Sequence, residues 1–206
     1  MPQRRKDLEQ VAGRPVSRET LERLETYGAL LRSASEQQNL ISESTLIRLW
    51  DRHILDSAQL VRFEPHSGAS WVDVGSGAGL PGIVIACLVS GPVTLVEPRR
   101  LRAEFLSRMV ETLGLRAEVK QVKIERITGT FAVITGRAVA SLGKFLRMCD
   151  HLSTGNTQWV LPKGRSAHSE LVEARHSWQG VFHVEPSVTD AEAQIIVGTG
   201  VRAKSR

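Results

Sequence analysis

Trp71-Val72-Asp73-Val74-Gly75-Ser76-Gly77-Ala78-Gly79-Leu80-Pro81-Gly82 is the stretch from which the fold of this 206-residue chain is read. A short run of strand-forming residues, Trp71–Val74, gives way to alternating glycines, and Pro81 suits the first turn of a helix. Glycines at such a hand-over let the backbone turn tightly and approach a ligand closely. A glycine trio alone is weak evidence. Here an acidic residue, Glu97, ends the next strand-like run, Val93–Val96, about twenty residues on, where a carboxylate meets ribose hydroxyls. The combination points to a nucleoside-containing cofactor rather than to a structural turn with incidental glycines.

Downstream of this loop, short β-branched runs alternate with helical stretches. After Trp71–Val74 comes a helix following Pro81, then Val93–Val96 and a helix through Arg102–Leu113, then Ala117–Val122, Phe131–Thr135 and Trp159–Leu161. Such alternation predicts a parallel sheet covered on both faces. Val181–Val184 and Gln194–Val197 flank Pro186 and Thr189-Asp190 and predict an antiparallel hairpin that closes the sheet. Upstream the chain reads as helical. Ser17 is placed to cap a helix with Leu21, Leu24 and Leu31 on one face, and a second helix is expected through Leu46, Ile47, Trp50, Ile54, Ala58 and Val61. The expected organisation is a helical extension over residues 1–65 packed on one compact domain over residues 66–206.

Composition narrows the function class. A hydrophobic share of 41% and a charged share of 24% are those of a globular chain, not of a disordered, collagen-like or coiled-coil one. The longest apolar run, Ile83–Val89, is far short of the ~20 residues that cross a bilayer. The charged start Met1–Lys6 has no apolar stretch after it, so neither signal peptide nor anchor is expected and the cytoplasm is the expected compartment. Cys87 and Cys149 have no metal or disulfide spacing and read as small core residues; no metal is expected. Lys+Arg exceed Asp+Glu by 27 to 22, a net charge of +5, which suits a polyanionic partner but also fits an arginine-rich proteome. Aromatics at 5% are too few for a stacking sheet that reads single-stranded RNA.

Gly77-x-Gly79-x-x-Gly82 satisfies the dinucleotide fingerprint, but Asp73 directly before the loop would repel a pyrophosphate while it could hold an ammonium group. Glycines at alternate positions, Gly75, Gly77 and Gly79, resemble the first motif of the class I S-adenosylmethionine-dependent methyltransferases. That resemblance implies a Rossmann-like, mostly parallel seven-stranded sheet and S-adenosylmethionine as cofactor. It puts Asp73 and the Gly75–Gly79 loop, with Leu80, at the methionine end, Glu97 on the ribose, and Ile124 and Glu125 beside the adenine.

From about Asn39 to Gly164 the chain resembles one family more closely, the glucose-inhibited division protein B (RsmG) type of 16S ribosomal RNA methyltransferases. The resemblance rests on Asn39-Leu40-Ile41-Ser42, Arg52-His53-Ile54-Leu55-Asp56-Ser57, the Asp73–Gly82 loop, Glu97 with Arg100 and Phe105-Leu106, Arg137-Ala138-Val139-Ala140, and Lys163-Gly164. Ile41-Ser42 replaces the commoner threonine form, and arginines follow Glu97 where lysine is frequent. The family's activity is methylation of guanine N7 in the 530 loop, which implies 16S rRNA or the small ribosomal subunit as partner; a monomer is expected.

Arg137 follows the run Phe131–Gly136 at the carboxyl edge of the expected sheet, where doubly wound folds bind ligands. With no acid beside it in sequence, it is expected to meet an anion; by resemblance this is the cofactor carboxylate, the target RNA, or both in turn, in a catalytic and cofactor-binding role. Lys163 closes the next strand and is expected in the same cleft, catalytic or RNA-binding. Arg99, Arg100 and Arg102 open the helix after Glu97 and are part solvated face, part phosphate contact, with Arg100 the expected RNA-binding residue. His53, Asp56 and Ser57 fall within one helical turn with no strand-turn-helix elbow, which rejects a hydrolase triad; His53 and Asp56 at i, i+3 are expected to pair locally.

No Asn/Asp-Pro-Pro-aromatic motif follows the fourth strand and no cysteine occupies a loop. Guanine N7 presents its own lone pair and needs no base, so geometry alone supplies up to ~7–11 kcal/mol in favourable systems. Two other readings stay open at this point: a small-molecule or protein methyltransferase of the same fold, and a noncatalytic RNA-binding module.

Overall fold

The computed structural model describes residues 2–38, 40–42 and 46–205. Two helices lead, α1 (Pro2–Ala12) and α2 (Arg18–Gln38), followed by a composite helix, α3 (50–63). The sheet and its helices then run β1 (Trp71–Val74), α4 (Gly82–Leu88), β2 (Val93–Val96), α5 (Arg100–Thr112), β3 (Ala117–Lys120), β4 (Val133–Thr135), α6 (Leu142–Cys149), β5 (Gln158–Lys163), α7 (Ala167–Ala174), β6 (Trp178–Pro186) and β7 (Gln194–Ala203). The seven strands lie in the order β3-β2-β1-β4-β5-β7-β6. The first five are parallel; β7 runs antiparallel to β5 and to β6, so the hairpin closes the sheet as expected.

Period-two alternation sorts the strand residues between two apolar layers. Trp71, Val93, Leu95 and Val160 join α1–α5 on one face, and Val72, Val74, Val96, Trp159 and Leu161 join α6 and α7 on the other. On that second face Phe145 packs edge-on against Trp159 with ring centroids 6.4 Å apart. One continuous cluster carries Leu8, Leu24, Tyr27 and Leu31 of the leading helices into contact with Ile83, Leu95 and Leu106, so these helices share the core of the sheet. Ser17 caps α2 by accepting the Thr20 N–H at 3.0 Å.

Differences from the sequence reading have local causes. The second helical region was expected to wind as an α-helix, but Trp50–Leu55 is a π-helix, Asp56–Ala58 a single α turn and Gln59–Phe63 a 3₁₀ turn. Leu46, Leu49, Ile54, Ala58 and Val61 are buried, whereas Ile47 is 81% exposed in the turn before the helix. β3 stops at Lys120 because the Val122 N–H turns back onto the Lys120 carbonyl, and β4 starts only at Val133 because the Phe131 N–H goes to Leu152. The hairpin strands are longer than expected: Gly180 sits at a register shift between Gln179 and Val181, and with Gly198 and Gly200 it breaks the apolar alternation that marks strands. Among the described residues no helix is long and apolar enough to cross a membrane. Cys87 and Cys149 are buried free thiols, both pushed up to about 12 by burial.

Candidate active site

The chain leaves β1 to pair on one side and returns through β4 on the other, so the loops after β1, β2 and β4 open at a point where the strand order reverses. The first of these is the glycine loop. Gly75, Gly77 and Gly79 have φ of +71°, +57° and +95°, the left-handed region that only glycine enters freely. The Gly75 and Ser76 N–H groups donate to the Val96 carbonyl at 2.9 and 3.1 Å and dock the loop on the end of β2. At the helical Gly82 the constraint is space: a Cβ there would lie 2.3 Å from Leu95 Cδ2 and 2.5 Å from Asp73 Oδ2. That closeness lets Asp73 Oδ2 accept the Gly82 N–H at 3.0 Å.

Asp73 was expected at the methionine end of the cofactor. It lies behind the loop, almost wholly buried and outside the lining of the adjoining cavity, with its carboxylate turned onto the start of α4. Burial pushes it up to about 6 despite the hydrogen bond from the Gly82 N–H. Its second oxygen, Oδ1, is buried with no hydrogen-bond partner among the described residues. A brace that the sequence reading missed comes from α2: Tyr27, wholly buried, donates its hydroxyl to the Ala78 carbonyl at 2.8 Å. Its signal was its place between Leu24 and Leu31 on the apolar face of that helix.

Glu97 follows β2 and crosses to the loop. Its Oε2 accepts the Gly77 N–H at 2.9 Å and its Oε1 the Arg99 N–H at 2.9 Å. In front of it lies a cavity of about 400 Å³ whose walls include Ile41, Gly75, Gly77, Leu80, Glu97 and Arg137. A second hollow of about 440 Å³ continues from it across Gly75, Pro98 and Val139 and is lined by Ile124 and Glu125. The expected cofactor residues other than Asp73 are therefore brought to one cleft. Leu40 and Ile41 stand at its mouth, while Asn39 lies outside the described residues. Arg99 and Arg102 line the cleft, but Arg100 points away from it and pairs with Glu104 at 2.7 Å on the exposed face of α5.

Beyond the Arg137–Val139 segment lies a further cavity of about 550 Å³, bounded by Asp56, Gln59, Ala140, Lys163 and Gln194. Arg137 lines both this cavity and the glycine-loop cleft. The residue after it, Ala138, has φ +57°, a conformation that costs a non-glycine residue roughly 1–2 kcal/mol. Arg137, with no acid beside it in sequence, was expected to meet an anion of the cofactor or the RNA; within the chain it meets Asp56, to whose Oδ2 its Nη1 donates at 3.3 Å. Its Nη2 lies 3.3 Å from His53 Nδ1. His53 and Asp56 thus converge on the arginine rather than pairing with each other. Burial, then Arg137 and Arg52, lower His53 to about 4, which leaves the ring neutral near pH 7 with Nδ1 as acceptor and the proton on Nε2.

Lys163 is also not solvated. Its ammonium donates to the Ala140 carbonyl at 2.9 Å and to Glu170 Oε2 at 2.8 Å, and the same oxygen accepts the Leu142 N–H at 2.7 Å. Burial raises Glu170, but these hydrogen bonds and that from Ser166 outweigh it and hold the carboxyl below its usual range. Among the described residues no group of three His, Cys, Asp or Glu side chains gathers to hold a metal ion.

The model of the GidB family, described as rRNA small subunit methyltransferase G, matches residues 20–196. The chain belongs to the GidB family. Among its relatives, the ribosomal RNA small subunit methyltransferase G of Erythrobacter litoralis is 48% identical over 90% of each chain. That of Zymomonas mobilis is 44% identical over 93% of this chain and 90% of its own. In fold the GidB chain resembles a solved predicted O-methyltransferase from Agrobacterium tumefaciens, with a TM-score of 0.59, 19% identity and coverage of 75% of this chain and 82% of the other. The fold is that of the class I S-adenosylmethionine-dependent methyltransferases.

Proposed function

We propose that this rRNA methyltransferase transfers the methyl group of S-adenosylmethionine to N7 of a guanine in the 530 loop of 16S rRNA. The observation that carries the reading is the position of Arg137 in the wall shared by two cavities, one of them walled by the glycine loop and Glu97.

The cleft fits the cofactor. Gly77 faces it with a backbone on which a Cβ would meet nothing closer than 3.6 Å, so the loop leaves room for a ligand lying along it. Glu97 uses one lone pair of each oxygen on backbone N–H groups, and a carboxylate has about four acceptor sites, so it retains capacity for both ribose hydroxyls. Ile124, Val96 and Met148 give the adjoining hollow apolar walls for a flat base, with Glu125 at its edge. When bound, the cofactor supplies a methyl group on a sulfonium, an electrophile that needs only an aligned nucleophile.

The protein's own part is placement. Arg137 lies in the wall shared by the two cavities, and its donors beyond those held by Asp56 and His53 suit O6 of a guanine, which orients the base while leaving the neighbouring N7 lone pair free for the methyl group. N7 would attack with its own lone pair and has no proton to lose, so no side chain of the protein has to act as a base. Asp56 offsets the arginine's charge beside that base. Lys163, bound by Glu170 and Ala140, shapes the wall of the target cavity rather than meeting a phosphate. Arg99 and Arg102 at the cleft mouth are the better candidates than Arg100 for the RNA backbone. The test is labelled methyl uptake with small ribosomal subunits, naked 16S RNA or bulk protein as acceptors: uptake confined to the RNA-containing acceptors supports the reading, and transfer to protein refutes it.

A further inference from the structure

Three segments far apart in sequence meet at one carboxylate. Asp56 in α3 sends Oδ2 to Arg137 Nη1, while its Oδ1 accepts Gln59 Nε2 at 2.8 Å and Thr189 Oγ1 at 2.9 Å. Gln59 in turn accepts the Val188 N–H at 2.9 Å and donates to Ser187 Oγ at 3.0 Å, and Ser187 and Thr189 hydroxyls lie 3.0 Å apart. Ser187–Thr189 belong to the tip of the β6–β7 hairpin, and Asp190 at the same tip pairs with Arg52. Both carboxylate oxygens are therefore held, and only one of the holders is the arginine.

We infer that Asp56 is a positioning residue for Arg137, fixed by Gln59 and by the hairpin tip, so that the C-terminal hairpin sets the direction in which the arginine presents its remaining donors. A guanidinium has a rigid planar fork, and two of its N–H groups fixed on Asp56 and His53 leave it little freedom to rotate. Without the carboxylate, the contact of Nη2 with His53 Nδ1 is the one side-chain tether left to the guanidinium among the described residues. The function of the hairpin tip is then more than closing the sheet: Thr189, 52 residues beyond Arg137, acts on the reacting centre through a single carboxylate. This inference rests on the role proposed for Arg137.

The experiment is a double-mutant cycle read by single-turnover methyl transfer to small ribosomal subunits, with thermal stability measured alongside. Asp56→Asn is expected to slow transfer about tenfold, and the same substitution in an Arg137→Ala background to change the residual rate by less than about twofold. Thr189→Val is expected to give a smaller loss that also vanishes in that background, and it carries the test if Asp56→Asn fails to fold. A wild-type rate for both Asp56→Asn and Thr189→Val, or an equal loss with and without Arg137, overturns the inference while leaving Arg137's role standing. A wild-type rate for Arg137→Ala overturns the reading beneath it, and the inference with it.

Discussion

Glu97 holds the glycine loop and faces the cleft with the same carboxylate, so its removal acts twice. Glu97→Ala removes the carboxylate proposed to accept from the ribose and leaves the Gly77 and Arg99 N–H groups without their partner. Losing a charge-assisted hydrogen bond costs roughly 1.5–3 kcal/mol, so S-adenosylmethionine should bind about 10- to 100-fold more weakly by calorimetry. Unchanged affinity would remove Glu97 from the site. Asp73 makes a separate pH prediction. It ionises at 3.8 ordinarily and at about 6 here, so the native state keeps a proton that the unfolded chain has lost, and this group lowers stability as pH rises from about 4 to 6. His53, at 6.5 ordinarily and about 4 here, does the reverse: the unfolded chain gains the proton first, and stability falls as pH drops. In the wild type the two slopes oppose each other. Asp73→Asn should therefore lose stability on acidification from pH 6 to 4 more steeply than the wild type, as read by melting temperature; parallel curves would contradict the assignment. The glycine loop and Glu97 were legible in the sequence because their chemistry is local, written in spacing and strand ends. The pairing of Arg137 with Asp56 was not: Asp56 stood out with His53 in its own segment, but it lies 81 residues earlier and no local spacing links the two.

At the scale of elements, β1 and β2 were read to the residue because their apolar runs end at sharp breaks, the glycine loop in one case and Glu97 in the other. The π winding of Trp50–Leu55 had no such mark, since its apolar spacing satisfies an α-helix equally well, and it is this segment that presents His53 to the arginine. α7 carries Glu170, the acid that pairs with Lys163. Lys163 and Glu170 side chains are 12% and 19% exposed, and the lysine also joins the end of β5 to the Ala140 carbonyl. Lys163→Ala should then destabilise the protein by about 1–3 kcal/mol in denaturant titration, because a largely buried carboxylate loses its partner, while the salt dependence of RNA binding stays as in the wild type. A shallower salt slope with unchanged stability would return Lys163 to the RNA-binding surface.

For the whole molecule, the parallel sheet with helices on both faces followed from alternation alone, and the antiparallel hairpin from its turn residues; where the hairpin tip sits was beyond sequence reasoning, because it depends on β7 entering between β5 and β6. That insertion brings residues 187–190 against α3 and completes the wall around the target cavity. A net charge of +5 suits a polyanionic partner. The central claim, transfer to guanine N7 with no base, predicts a product with a fixed positive charge on the purine, whose glycosidic bond becomes labile after borohydride reduction. The most direct measurement supplies active protein, S-adenosylmethionine and small ribosomal subunits from cells lacking the enzyme, then extracts the RNA, treats it with borohydride and aniline, and maps the breaks. The account predicts cleavage at a single guanine in the 530 loop, only when active protein was present; labelled RNA that stays uncut would contradict it.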